Sequence, residues 1–262
     1  MKFELLTVKR RGRLVKIILA ETLVITGISL LAYHGADSTT FASAYDQNFM
    51  INANTQTLSM IMIILLPLLS SLASGDLMSS DDEIRNYLIV RKGKMRYRLM
   101  KLLAVFLIGF LNSLFIFELF NLYSMAACDL SGRFYIARDF CQLTADGLAR
   151  YNPLLLERPG LFSQLLFVLF SLFSASAGCL SLVIGEISGR KVLYYFGGFA
   201  IIMAVNLTLT LLNEALSYNM AFSCFLENLS GKPLSFHLGI ITLWIAVPLI
   251  ISLTYQLLRA GH

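Results

Sequence analysis

The sequence has few charged residues and lacks the common motifs of hydrolytic and nucleotide-binding enzymes. Of its 262 residues only 14% are Asp, Glu, Lys or Arg, whereas an average globular domain has about 25%. It contains no HExxH zinc-protease motif and no GxxxxGK[ST] phosphate-binding loop. The three histidines lie at predicted helix ends or at the terminus, so no serine and histidine lie at the same depth within the predicted membrane helices. We therefore expect no enzymatic activity, no catalytic residue, no metal and no cofactor bound by this chain.

Cysteine is also scarce. The four cysteines form no CxxC pair and no Cys-His spacing typical of a zinc site. Cys128 and Cys141 share one predicted loop, where a disulfide is geometrically possible and free thiols are the alternative. An external disulfide would require an oxidising compartment.

The sequence is rich in long apolar runs. Hydrophobic residues make up 57% of the chain, and apolar runs of about 20 residues are typical of transmembrane helices. We predict an all-α integral membrane protein with one transmembrane domain, residues 17–258. Its six predicted spans are Ile17–Tyr33, Thr57–Gly75, Leu102–Tyr123, Leu161–Ile184, Val192–Asn213 and His237–Leu258.

The distribution of Lys and Arg predicts the orientation of these spans. With six helices, 16 of the 21 basic residues lie on the side of the two termini. The positive-inside rule then places both termini in the cytoplasm, in an inner or plasma membrane. Residues 1–16 combine basic and apolar side chains, which favours a helix in the interface plane over a disordered tail. The excess of positive charge is explained by orientation and lipid contact, so we expect no nucleic-acid partner.

One cytoplasmic loop, residues 76–101, is unusually rich in charge. An acidic cluster (Asp81, Asp82 and Glu83) is followed by an amphipathic stretch and then by a basic cluster. A short, charge-dense loop in a membrane protein suggests a docking surface for a soluble protein on that side. The longest loop on the opposite side is residues 124–160.

Two carboxylates fall inside predicted spans, Glu21 and Glu118, with Asn112 in the same span as Glu118. Intramembrane ionisable residues are costly and therefore candidates for function. One interpretation is a substrate path or proton coupling. The other is a carboxylate at a helix end that reaches the interface or bonds to a neighbouring helix. Lys16 lies five residues before Glu21 and could pair with it.

The layout resembles the permease subunit of ABC transporters of the ABC-2 (type V exporter) family. The shared features are the length, six spans, the interfacial N-terminal helix, and the order Asp82-Glu83, 84–90, Arg91-Lys92-Gly93-Lys94 and Lys101. The resemblance implies that this segment is a coupling helix which docks on a separate ATPase. It also implies a second contact in the short Gly185–Lys191 loop. The implied ATPase-docking residues are Asp81, Asp82, Glu83, Arg85, Tyr87, Leu88, Arg91, Lys92, Glu186 and Arg190.

Our leading hypothesis is the permease subunit of an ATP-driven exporter for a peptide or an amphipathic, lipid-like substrate. The resemblance implies that ATP and Mg²⁺ bind to a partner ATPase, and that a second permease subunit, identical or different, completes the transporter. The substrate-path candidates are Glu21, Asn112 and Glu118. The alternative is a non-transporting membrane protein, such as an immunity factor or a sensor partner. An intramembrane enzyme is disfavoured because no catalytic pair is aligned.

Overall fold

The computed structural model describes residues 13–34, 65–72, 75, 93–127, 159–212 and 234–260. Within these ranges only Gly93, Gly189 and Arg190 are not helical, and no residue is in a strand. The predicted all-α class is therefore confirmed for this part of the chain. The helices are α1 Arg13–His34, α2 65–72, α3 Lys94–Ala127, α4 Pro159–Ser188, α5 Lys191–Leu212 and α6 Leu234–Ala260.

Three of these helices, α3, α4 and α6, contain stretches long and apolar enough to cross a membrane. The apolar stretches described in α1 and α5 are shorter. Most helices begin before and end after the predicted spans, and α3 begins at Lys94 rather than at Leu102. A hydropathy run marks only the apolar part, whereas backbone hydrogen bonding continues through flanking polar residues. Residues 124–127 and 159–160, predicted as loop, are accordingly helical.

Local signals in the sequence explain the two ends of α4. Proline stands at its first position, where the missing N–H has no helical partner in any case. Gly189 follows the helix with a positive φ of 69°, and its N–H donates to the Gly185 carbonyl at 2.9 Å. This glycine-terminated end allows α5 to begin at Lys191 after a two-residue turn.

Pairwise contacts give the direction of each helix. Along α3 and α4 the contacts run from Arg98–Glu186 through Gly109–Ala175 to Phe117–Phe167, so the two helices are antiparallel. Other contacts show that α1 is parallel to α3, α5 antiparallel to α4 and α6 parallel to α4. The starts of α1, α3 and α5 and the ends of α4 and α6 therefore share one end of the bundle, here called the basal end.

The core is centred on α4, which packs against α3, α5 and α6. Phe117 of α3 stacks on Phe167 of α4 with ring centroids 4.9 Å apart. On another side of α4, Phe173 meets the edge of Trp244 of α6 at 5.7 Å. Close approach elsewhere depends on glycine: a Cβ on Gly198 of α5 would clash with the Ala177 carbonyl of α4. Small residues at helix contacts are typical of packing in membranes.

The outer surface of the bundle is apolar, while much of its interior is polar. Large hydrophobic side chains such as Leu23, Leu211 and Leu257 are more than two-thirds exposed, and many serines are buried. Exposed threonines donate to carbonyls of their own helix, as in Thr208 to Ala204 at 2.8 Å and Thr254 to Ile250 at 2.9 Å. Internal satisfaction of surface hydroxyls suits a helix surrounded by lipid.

Candidate functional site

Glu21 lies in the third turn of α1 and is buried, with only 3% of its surface exposed. It shares the inner face of α1 with Ile25, four residues later, whereas Leu19 and Leu23 face outward. The helical period therefore places the only described carboxylate of α1 against the rest of the bundle. Neither carboxylate oxygen has a hydrogen-bond partner among the described residues.

Asn112 of α3 is the polar side chain that faces Glu21. It is 7% exposed, and neither its amide nitrogen nor its amide oxygen has a partner in the described part of the chain. The pair is close enough to interact but falls short of hydrogen-bond geometry. Asn112 lies near the middle of the 34-residue α3. Glu21 is therefore level with the middle of the longest helix, not with an end of the bundle.

Buried serines extend this polar region onto α4. Ser113 and Ser171 lie at the same level, because the Gly109–Ala175 and Phe117–Phe167 contacts bracket them one turn away on each side. The hydroxyls of Ser113, Ser171 and Ser174 are buried without a hydrogen-bond partner among the described residues. Glu21, Asn112, Ser113, Ser171 and Ser174 are here called the mid-level cluster.

Five buried polar side chains at one level of a helix bundle without a partner among the described residues are unusual, because buried polar groups are nearly always hydrogen-bonded. An unpaired amide or hydroxyl costs about 1–3 kcal/mol, and an isolated buried charge costs much more. The donor set consists of oxygens and one amide nitrogen, suited to a hydroxyl-bearing solute, water, a proton or a hard cation. Within the described residues no three His, Cys, Asp or Glu side chains converge on a metal position.

Glu118 has a different environment. It is half-buried and accepts hydrogen bonds from Gln164 of α4 at 3.3 Å and from Asn121 of its own helix at 3.5 Å. This carboxylate links α3 to α4 away from the basal end. The geometry matches the interpretation of a carboxylate bonded to a neighbouring helix.

A second polar group, the basal cluster, ties three helices together near the basal end. Arg98 of α3 pairs with Glu186 of α4, with Nε and Oε2 3.5 Å apart and both side chains largely buried. The Arg98 guanidinium carbon also lies 5.5 Å from the centroid of the Tyr255 ring of α6. Sequence reasoning missed this ion pair, because its partners are 88 residues apart and no local spacing relates them.

Most of the predicted docking residues, Asp81 to Lys92, lie outside the described residues, as do positions 1–12 of the predicted interfacial helix. Residues 13–16 of that segment belong to α1. The predicted Gly185–Lys191 loop is shorter than expected, since only Gly189 and Arg190 are not helical. Arg190 is exposed, whereas the Glu186 carboxylate is turned towards Arg98.

The predicted pair of Lys16 with Glu21 is wrong. Lys16 is exposed, Glu21 is buried, and the Glu21 oxygens have no partner among the described residues. The five-residue separation turns the two side chains to different sides of α1. Cys128 and Cys141 lie outside the described residues. Cys179 is buried, and its thiol donates to the Leu102 carbonyl at 3.6 Å.

An apolar cleft of about 310 Å³ lies between α3, α4 and α6. Its walls include Leu102 and Phe106 of α3, Cys179 of α4 and Pro248 of α6. Because Pro248 has no N–H, it cannot donate the usual helical hydrogen bond to the preceding turn of α6. The cleft is one to two helical turns from Arg98 and Tyr255, so an apolar space adjoins the basal cluster.

Comparison of this chain with models of protein families, with curated proteins and with solved structures finds no match.

Proposed function

We propose that this chain is the permease subunit of an ATP-driven exporter, with six membrane spans and both termini in the cytoplasm of an inner or plasma membrane. A separate ATPase supplies the energy, and a second permease subunit completes the path. The mid-level cluster is the observation that carries the transport proposal. A scaffold in a membrane gains nothing from five buried polar side chains that have no partner in the described part of the chain, whereas a solute path requires groups that can bind a solute.

The direction of the helices supports the proposed orientation. The start of α1, the end of α6 and the exposed Arg190 and Lys191 share the basal end. The predicted docking segment leads directly into α3 at this same end. Positive charge gathered at one end of an apolar bundle agrees with a cytoplasmic face.

The basal cluster supplies a physical route from an ATPase to the helices. Arg98 lies in the second turn of α3, near the end of the charge-rich segment 76–101, and it contacts Glu186 of α4 and Tyr255 of α6. A force on the start of α3 would therefore reach two further helices through one side chain. Helices that move as packed units are the usual basis of such two-state changes.

The chemistry of the interior favours an amphipathic substrate. The mid-level cluster offers hydrogen-bonding groups, and the cleft between α3, α4 and α6 offers about 310 Å³ of apolar space. Binding sites commonly combine an apolar wall with a few polar groups that fix orientation. A peptide with apolar side chains or a lipid-like molecule matches this combination.

The test is affinity purification of the tagged protein from its native membrane in mild detergent with nucleotide present, followed by mass spectrometry. We expect a stoichiometric soluble protein that contains a phosphate-binding loop, and a second permease if the transporter is a heterodimer. The matched variant carries Asp82→Lys and Glu83→Lys in the predicted docking segment. It should lose the ATPase while Trp244 fluorescence reports an intact bundle.

Two results would contradict the proposal. If no ATPase co-purifies with the wild-type chain, transport driven by a partner ATPase is wrong and the immunity or sensor alternative takes its place. If the ATPase binds equally well to the charge-reversed variant, the docking segment is assigned wrongly.

A further inference from the structure

We propose that Glu21 in the mid-level cluster binds a monovalent cation, either a proton or a Na⁺ ion held between Glu21 and Asn112. The binding claim rests on the geometry of the cluster alone. Its role, coupling of cation binding to the transport cycle, rests on the proposed function.

The charge of the cluster selects a cation of single charge. Glu21 is the only ionisable side chain in the cluster, and it is 3% exposed. An ionised carboxylate without a partner is very costly in a low-dielectric interior, and one positive charge neutralises it. A divalent ion would leave one uncompensated charge in the same environment.

Among the described residues, no other charged side chain is placed to neutralise Glu21. On α3 the ionisable residues on either side of Asn112 are Lys101 and Glu118, about 16 Å and about 9 Å away along the helix axis. Lys16 on α1 is exposed, and Glu118 is engaged by Gln164 and Asn121. On α4, the described ionisable groups are Cys179 and Glu186, both nearer the basal end than Ser174.

Asn112 provides a suitable second ligand beside Glu21. Carboxylate, amide carbonyl and hydroxyl oxygens are hard donors that favour hard cations over soft metals. Asn112 faces Glu21. Ser113 and Ser171 lie at the same level where α3 packs against α4. Because neither amide atom of Asn112 has a hydrogen-bond partner among the described residues, its carbonyl oxygen can turn towards an ion without breaking an existing hydrogen bond.

The experiment uses the purified full-length protein in detergent. Thermal unfolding is followed through Trp244, the only tryptophan, which is buried between α4 and α6. Melting temperatures are compared in NaCl and KCl of equal ionic strength, because an ion that binds only the folded state raises the melting temperature. Infrared spectra at neutral pH record whether the C=O stretch of a protonated carboxylic acid is present. Both measurements are repeated for Glu21→Gln and for Glu118→Gln, a matched loss of one intramembrane carboxylate.

We expect one of two signatures, and Glu21→Gln must abolish it while Glu118→Gln retains it. A Na⁺-specific rise in melting temperature indicates a Na⁺ site. In that case Glu21→Gln should weaken Na⁺ binding by at least about 100-fold, since substitution of residues behind the direct ligands already changes metal affinity by about 10–100-fold. Ser113→Ala should weaken Na⁺ binding less. A protonated-acid band without Na⁺ dependence indicates a proton site.

The proposal is overturned if the wild-type protein shows neither signature, or if Glu118→Gln removes the signature and Glu21→Gln does not. The wild-type comparison of NaCl with KCl needs no variant, so a misfolded Glu21→Gln protein leaves the test intact. Cation binding without a co-purified ATPase would retain this inference and reject the exporter. A co-purified ATPase without cation binding would retain the exporter and reject this inference.

Discussion

The basal cluster and the mid-level cluster are both polar groups buried among helices, and they differ in how they are paired. Arg98 has a carboxylate partner at 3.5 Å and an aromatic ring at 5.5 Å, and only its Nη1 is buried without a hydrogen-bond partner among the described residues. Glu21 has an amide facing it, but no hydrogen bond to any described residue. The two glutamates follow the same division, since Glu118 accepts from two amide groups and Glu21 from none among the described residues.

Pairing, more than burial, therefore separates polar groups that hold the bundle together from groups available to a ligand. In the basal cluster the attraction between opposite charges offsets part of their desolvation cost and fixes α3 against α4 and α6. In the mid-level cluster the desolvation cost is not offset within the described chain. The comparison predicts that removing a paired group destabilises the protein, while removing an unpaired group has little effect or stabilises it.

The largest expected effect is at the basal cluster. Arg98→Met leaves the largely buried Glu186 carboxylate without its cation, and breaking a buried pair in this way costs about 3–5 kcal/mol. The free energy of unfolding, measured by denaturant titration in detergent micelles and followed by Trp244 fluorescence, should fall by that amount.

The double variant Arg98→Met with Glu186→Met is the control for this prediction. It removes both charges and keeps apolar volume, so it should recover most of the lost stability. A single variant as stable as the wild type would show that the ion pair does not hold the bundle together.

A smaller effect is expected for two serines of α4. Ser181 accepts from the Gly198 N–H at 2.7 Å and donates to the Ser71 hydroxyl at 3.3 Å. Ser174 is as deeply buried, and its hydroxyl has no hydrogen-bond partner among the described residues. Ser181→Ala should cost about 1–3 kcal/mol, whereas Ser174→Ala should stay within about 0.5 kcal/mol of the wild type or stabilise the protein. Equal losses in the same unfolding assay would break the distinction between paired and unpaired groups.

The glutamates of α1 and α3, Glu21 and Glu118, give the third comparison. Glu118→Gln keeps an acceptor oxygen but loses the negative charge that strengthens the bonds from Gln164 and Asn121, so we expect a loss of about 1 kcal/mol. Glu21→Gln, measured without Na⁺, should cost nothing or stabilise the protein, because the Glu21 carboxyl group has no hydrogen bond to a described residue that the substitution could break. A larger loss at Glu21 than at Glu118 would indicate that Glu21 is paired in the folded protein.

The smallest expected effect is at the contact of α1 with α3. Thr26 uses its one hydroxyl hydrogen on the Thr22 carbonyl, so Tyr123 is the donor in the 2.8 Å contact between their hydroxyls. Tyr123→Phe removes this bond and leaves the Thr26 backbone bond intact. The loss should be about 0.5 kcal/mol. A shift of several kcal/mol would mean that this bond alone positions α1, and therefore Glu21, on α3.

The sequence was a good guide to local structure and a poor guide to pairing. Hydropathy predicted the all-helical class and the approximate position of each described helix, because burial in lipid demands long apolar segments. It placed the helix ends too far inward, since charged residues such as Lys94 extend a helix beyond its apolar part. Glu21, Asn112 and Glu118 were identified because polar side chains inside apolar helices are energetically costly. That cost does not show which of the two carboxylates is paired.

The sequence by itself determined that this chain forms apolar helices that contain a few polar residues whose burial is energetically costly. Both properties follow from residue type and spacing along one helix. Only the tertiary structure decided which of these residues meet. Arg98 reaches Glu186, Glu118 reaches Gln164, and Glu21 reaches no hydrogen-bonding partner among the described residues. Each outcome depends on the direction and register of one helix against another, and these are set by packing such as Gly109 on Ala175 and Phe117 on Phe167.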